Sequence, residues 1–128
     1  MKLNPDCIRD ILLTVEDHSD FYHQTEYKHE SPFERLQKYT HDEIVYHIMQ
    51  CEQSGLIYDV HYYDGGYHTD IRDLSPAGHE FLANIRNDSF FNKIKNIAKE
   101  LGTNSLKDIS QIATASASML IKAHFEID

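Results

Sequence analysis

The stretch between Gly55 and Pro76 constrains the fold more than any other part of this 128-residue chain. Leu56, Tyr58, Val60 and Tyr62 alternate with Ile57, Asp59, His61 and Tyr63; beyond Asp64-Gly65-Gly66, Tyr67, Thr69 and Ile71 alternate with His68, Asp70 and Arg72. Period-two patterning on both sides of a glycine-rich turn predicts a β-hairpin. A two-residue turn at Asp64-Gly65 pairs His61 with His68, and one at Gly65-Gly66 pairs Tyr63 with His68. Both keep the same side chains on the same face, so facing is determined while register stays open.

Helical signals flank the hairpin. Asn4 caps and Pro5 starts a helix to about His18, with Ile8, Ile11, Leu12 and Val15 on one stripe. Ser19 to Ser31 is polar and histidine-rich and reads as a loop closed by Pro32, while Phe33 to Tyr39 suits either a strand or a short helix. Thr40 with Glu43 forms a capping box for a helix over about His41 to Ser54, ended by Gly55. Ile44, Val45, Ile48 and Cys51 line its inner stripe, and Glu43, Tyr46, His47, Gln50 and Gln53 its outward face.

After the hairpin, Ser75-Pro76 opens a helix with Phe81, Leu82 and Ile85 inward, in which Gly78 permits close approach of a neighbour. Asp88 or Ser89 caps the next, with Phe90, Ile94, Ile97, Ala98 and Leu101 on one side and Gly102 as its stop. The last runs from Leu106 to about Phe125 and has a stripe of Leu106, Ile109, Ala113 and Leu120. Ile112, Met119, Ile121 and Phe125 fall outside that stripe, so a second surface must be buried, against the chain's own domain by preference or against a second copy.

This order, with Ser54-Gly55-Leu56-Ile57 before the hairpin and Leu74-Ser75-Pro76 after it, resembles the winged helix-turn-helix. The expected fold is therefore α+β and mainly helical. A winged-helix-like module over 1–75 (helix, short strand or turn, helix, hairpin wing) precedes three helices over 76–128 that pack on it or mediate self-association. Only Phe33 to Tyr39 is available for the helix that normally precedes the recognition helix, so the turn is abbreviated. The chain also resembles a family of small uncharacterised proteins of phages and prophages, domain of unknown function 2513. The resemblance rests on Met1 to Leu13, Tyr46-His47-Ile48, Ser54 to Ile57, Gly78 to Arg86 and the helix after Ser105. Membership implies a fold and a genomic setting, and it transfers no functional residue.

Charge weighs on the function such a fold suggests first. With 12 Lys and Arg against 21 Asp and Glu, the formal charge of -9 repels nucleic acid. Between Tyr39 and Ser75, Asp42, Glu43, Glu52, Asp59, Asp64, Asp70 and Asp73 oppose Arg72 alone. DNA binding, with Tyr46, His47 and Gln50 in the groove, is thus the alternative reading, and a protein partner or a homodimer through the C-terminal helix is preferred. Tyr46, His47, Gln50, Tyr63 and Arg72 are the candidate partner-binding residues. Asp59, His61, His68 and Asp70 offer nitrogen and oxygen ligands on the hairpin, but no metal-binding spacing supports them, so no metal or cofactor is expected. No catalytic motif is present, and an enzyme is not expected. Cys7 and Cys51 form no pair, and neither a leader nor a membrane span is evident, so a cytoplasmic protein with reduced thiols is expected.

Overall fold

A computed structural model describes residues 1–126. The elements run α1 (Pro5–His18), β1 (Thr25–Lys28), a short 3-10 turn (Glu34–Leu36), α2 (His41–Gln53), β2 (Ile57–Tyr63), β3 (His68–Leu74), α3 (Pro76–Ile85), α4 (Asp88–Glu100) and α5 (Leu106–Glu126). The protein is α+β and mainly helical, with one three-stranded antiparallel sheet ordered β1-β3-β2.

Local chemistry sets most boundaries. The Asn4 side chain accepts from the Asp6 N–H and Pro5 occupies the first turn of α1. Thr40 and Glu43 close a reciprocal capping box on α2, and Gly55, at φ +73°, follows its C-cap in the left-handed conformation that glycine adopts without strain. Ser75 accepts from the Gly78 N–H to start α3. The next helix is capped one residue earlier than expected, by Asn87, whose side chain accepts from Phe90 N–H. Its inward stripe is correspondingly Phe91, Ile94 and Ala98; Phe90 is half-buried, and Ile97 and Leu101 face solvent.

The expected two-stranded ribbon is corrected to a sheet of three, because β1 lies inside the segment read as a loop. Thr25-Glu26-Tyr27-Lys28 is short and half charged, which hides a strand from pattern reading. Thr25 and Tyr27 nevertheless point into the core while Glu26 and Lys28 point out, and pairing with β3 supplies the hydrogen bonds. The hairpin register is Tyr63↔His68, turned by a four-residue connection in which Asp64, Gly65 and Gly66 all have positive φ. The uncertain segment before α2 is the 3-10 turn, with Leu36 as its buried anchor.

The buried side chains form one cluster extending from Cys7 to Ala113. At its centre lies α1, whose Cys7, Ile8, Ile11, Leu12 and Val15 are essentially inaccessible and which packs on α2, α3 and β3. Each fully buried aliphatic side chain contributes about 1.5–3 kcal/mol. Polar clamps flank this core. Arg86 donates to both Glu16 carboxylate oxygens, at 2.9 and 2.5 Å, tying α3 to α1. The Phe91 ring has the Arg9 guanidinium 5.0 Å from its centroid and the Lys95 ammonium 4.6 Å away. Those two cations also bind Asp88 and Asp6.

The tightest junction joins the two ends of the hairpin. A Cβ added to Gly78 would lie 2.0 Å from the Leu56 carbonyl oxygen, whereas one added to Gly55 meets nothing within 4 Å. Gly78→Ala is therefore expected to cost about 3 kcal/mol or more, at or beyond the top of the usual overpacking range. Gly55→Ala is expected to cost only the left-handed backbone penalty of roughly 1–2 kcal/mol. Urea unfolding midpoints of the two variants measure the difference.

The Glu16–Arg86 pair carries a pH signature. The Arg86 hydrogen bond, ahead of any other cause, holds the Glu16 carboxyl below its ordinary value of 4.5. A depressed carboxylate contributes stability above its unfolded value and loses it as pH falls through the folded one. The stability gap between wild type and Glu16→Gln, under about 1 kcal/mol for so exposed a pair, is expected to be full at pH 7 and to close on acidification below 4.5. Denaturant titrations at several pH values would read it.

Candidate functional site

The five residues expected to meet a partner do not form one surface. Tyr46 and Gln50 are half-buried on α2, and Tyr63 is exposed at the end of β2 with its ring 5.3 Å from that of His68. Tyr46 and His47 are neighbours on α2, and their rings meet edge to face at 5.0 Å.

His47 requires a correction: it is fully buried, not outward. Its Nε2 accepts from the Asn4 N–H at 2.8 Å, and its Nδ1 lies 2.6 Å from the Glu43 carbonyl, so Nδ1 carries the proton and donates there. The imidazole thereby bridges the start of α1 to the first turn of α2. The spacing put it on the outward face with Tyr46, but the N-terminus of α1 covers the helix there.

Arg72 is also committed to the fold. One of its terminal nitrogens donates to the Asp20 carbonyl at 2.9 Å and to the Phe21 carbonyl at 2.6 Å, which holds the connection between α1 and β1 against β3. The Asp20 carboxylate accepts from the backbone N–H groups of Tyr22 and His23, closing a tight turn. That turn presents Phe21 and Tyr22 to solvent, each 84% exposed. Adjacent aromatics on a pinned turn are suited to protein contact. Polar loop composition masked them in the sequence.

The outer face of the sheet collects the ionisable side chains. Cross-strand pairing sets Glu26 opposite Asp70 and Asp70 opposite His61, while Lys28 and Tyr63 flank His68. One ligand atom each from Glu26, His68 and Asp70 lies within 4.8 Å of the others, and His68 Nε2 is 2.7 Å from Asp70 Oδ1. Of the four hairpin residues considered from the sequence, His68 and Asp70 belong to this group. Asp59, at φ +48°, and His61 are not members, and Glu26 enters from the strand that pattern reading missed.

A second cluster lies beside the N-terminus of α2. The Tyr27 hydroxyl is 2.8 Å from His41 Nδ1, the Tyr67 ring stacks on His41 at 4.5 Å, and His29 meets both rings edge-on. Burial, with the nearby His29 as the next cause, pushes the His41 pKa down. Cys7 and Cys51 are unpaired and wholly buried. Burial, then the charge of Glu43, raises the Cys7 thiol to about 12, which leaves no thiolate for nucleophilic chemistry near neutral pH.

The remaining feature is α5. Leu106, Ile109 and Ala113 pack on α3 and α4, and the helix then runs on with Met119, Leu120, Ile121 and Phe125 between 58% and 74% exposed. Leu120, expected on the inward stripe, is therefore among the exposed residues. No helix among the described residues is long and apolar enough to cross a membrane.

These features define a small, mainly helical α+β protein whose side-chain chemistry is distributed between a sheet face and a helix with an exposed distal half. The chain belongs to the family described as Hypothetical protein (DUF2513), whose model matches residues 2–104 and so takes in α1 through α4. No curated protein and no solved structure matches it.

The placement of His47 separates a structural role from a surface role. His47→Ala leaves the Asn4 N–H without an acceptor and opens a cavity, and is expected to destabilise by about 2–4 kcal/mol. Gln50→Ala, half exposed on the same helix, is expected to stay within about 0.5 kcal/mol of wild type. Thermal or urea unfolding would distinguish them, and equal small effects would place His47 at the surface.

Proposed function

We propose that this chain is a winged-helix-like binding module of phage or prophage type. It acts in the cytoplasm, without catalysis, through protein contacts, and the first of those contacts is with a second copy of itself through the distal half of α5. The observation that carries this reading is the exposure of Met119, Leu120, Ile121 and Phe125 on a helix whose proximal half is part of the core. A helix apolar over most of its circumference is stable when covered. Ala117 and Ala123 leave room for a second helix to approach closely, and Lys122 with Glu126 offers charges of both signs to a like copy.

Element order and sheet order support the winged-helix part of the reading. Helix, strand, short turn, helix and hairpin, with the first strand added to the hairpin as β1-β3-β2, is the arrangement expected of a winged helix with an abbreviated turn. In that frame α2 corresponds to the recognition helix and Asp64–Gly66 to the wing tip.

Those parts make DNA the competing ligand, but the wing lacks free cations. Arg72, alone among the seven acids from Asp42 to Asp73, is engaged with backbone carbonyls. Phosphate contacts supply most of the affinity for duplex DNA.

Light scattering or sedimentation of the full chain at tens of micromolar is expected to give a dimer. The double variant Leu120→Glu, Phe125→Glu is expected to be monomeric and folded, since both side chains stand in solvent within one copy, with a melting temperature that no longer rises with protein concentration. A monomeric wild type overturns the reading. A mobility shift of duplex DNA at 50 mM salt that weakens steeply as salt rises would favour the competing ligand instead.

A further inference from the structure

Glu26, His68 and Asp70 meet on the outer face of the sheet as a nitrogen and oxygen ligand set drawn from two strands. Glu26 stands directly across from Asp70 in the β1–β3 register, and His68 lies two residues from Asp70 on the same face of β3. Their ligand atoms lie within 4.8 Å of one another. A tetrahedral ion with bonds of about 2.0–2.1 Å holds its ligands about 3.4 Å apart, so modest rotamer adjustments bring all three onto one centre.

The charge balance at this place is open. Two carboxylates directly opposite each other in a sheet repel, and Asp70 is only 9% exposed. Among the described residues, no lysine or arginine nitrogen lies within 4.0 Å of either carboxylate, and the close side-chain partner of Asp70 is His68, at 2.7 Å. Of the basic residues on this face, Lys28 stands across from His68 with its ammonium farther than 4.0 Å from both carboxylates, and Arg72 binds the Asp20 and Phe21 carbonyls. Opposite Asp70 on the third strand, His61 is exposed on the open side of the group and able to supply a second imidazole.

We propose that Glu26, His68 and Asp70 bind one divalent transition ion of zinc type, with the fourth position open toward His61 and solvent. One imidazole with two carboxylates suits zinc better than the all-oxygen sets that calcium and magnesium take. The ion offsets the carboxylate repulsion and bridges β1 to β3, adding a side-chain tie between the four-residue edge strand and its neighbour. This site is independent of α5 and stands whether or not the chain dimerises.

Cobalt(II) is the informative probe, because its visible absorption reports nitrogen and oxygen coordination and zinc displaces it. The untagged full chain, stripped with chelator, is expected to take up one equivalent saturably and to release it to zinc. Glu26→Gln and His68→Ala are each expected to weaken uptake at least about tenfold, while His79→Ala, on α3, leaves it unchanged. Hydrogen exchange of the β1 amides is expected to slow when zinc is added to wild type and not when it is added to His68→Ala. Uptake that is weak and spread over several equivalents, or one-equivalent uptake that survives both Glu26→Gln and His68→Ala, overturns the site.

Discussion

The carbonyl of Leu56 is the point on which the architecture turns. It accepts the Ser75 N–H at 3.0 Å, while the Ser75 hydroxyl donates to the neighbouring Gly55 carbonyl at 2.5 Å, so the chain leaves the hairpin where it entered. The same Ser75 caps α3, and Gly78, one turn in, passes over Leu56 with no Cβ to hold it away. Three local choices, a glycine stop, a serine cap and a glycine in the first helical turn, thus converge on two successive peptide groups, those of the Gly55 and Leu56 carbonyls. They fix the sheet against α3, and α3 delivers Phe81, Leu82 and Ile85 to the core around α1.

With the sheet's inner face set against that core, its outer face follows from pairing. Thr25, Tyr27, Thr69 and Ile71 are drawn inward, so Glu26, His68, Asp70 and Arg72 must project to the other side. The cations that might have balanced those acids are used elsewhere in the fold. Arg9, Lys95 and Arg86 tie α1 to the C-terminal helices, Arg35 pairs with Asp17 and Lys38 with Asp10, and Arg72 pins the Phe21-Tyr22 turn. The acidity of the hairpin is therefore a consequence of how the basic residues are deployed as much as of composition.

Much of this was legible in the residues. The caps at Asn4, Thr40 and Ser75, the Gly55 stop, the hairpin and the close approach at Gly78 are all local signals with one physical meaning each, and each corresponds to an element or contact in the structure. What escaped reading was tertiary. Strand β1 has four residues and owes its state to β3, so its own pattern was silent. The outward face of α2 was drawn without the start of α1, whose backbone N–H at Asn4 claims His47. The ligand set on the sheet was half visible, because His68 and Asp70 sit on the hairpin while Glu26 comes from the missed strand.

The remaining balance lies between net charge and apolar surface. A chain of formal charge -9 repels its own copies as well as polyanions, so a helix-to-helix contact must draw on burial of Met119, Leu120, Ile121 and Phe125 to overcome that repulsion. Screening acts over about 10 Å at 0.1 M salt and weakens repulsion between like copies, whereas it removes the attraction on which a phosphate contact depends. Salt therefore works in opposite directions on the two modes of binding. In an electrolyte of cellular strength, screening lowers the obstacle that the acidic surface would set to an apolar partner, while α2 and the hairpin carry a single Lys or Arg, Arg72, to meet a phosphate.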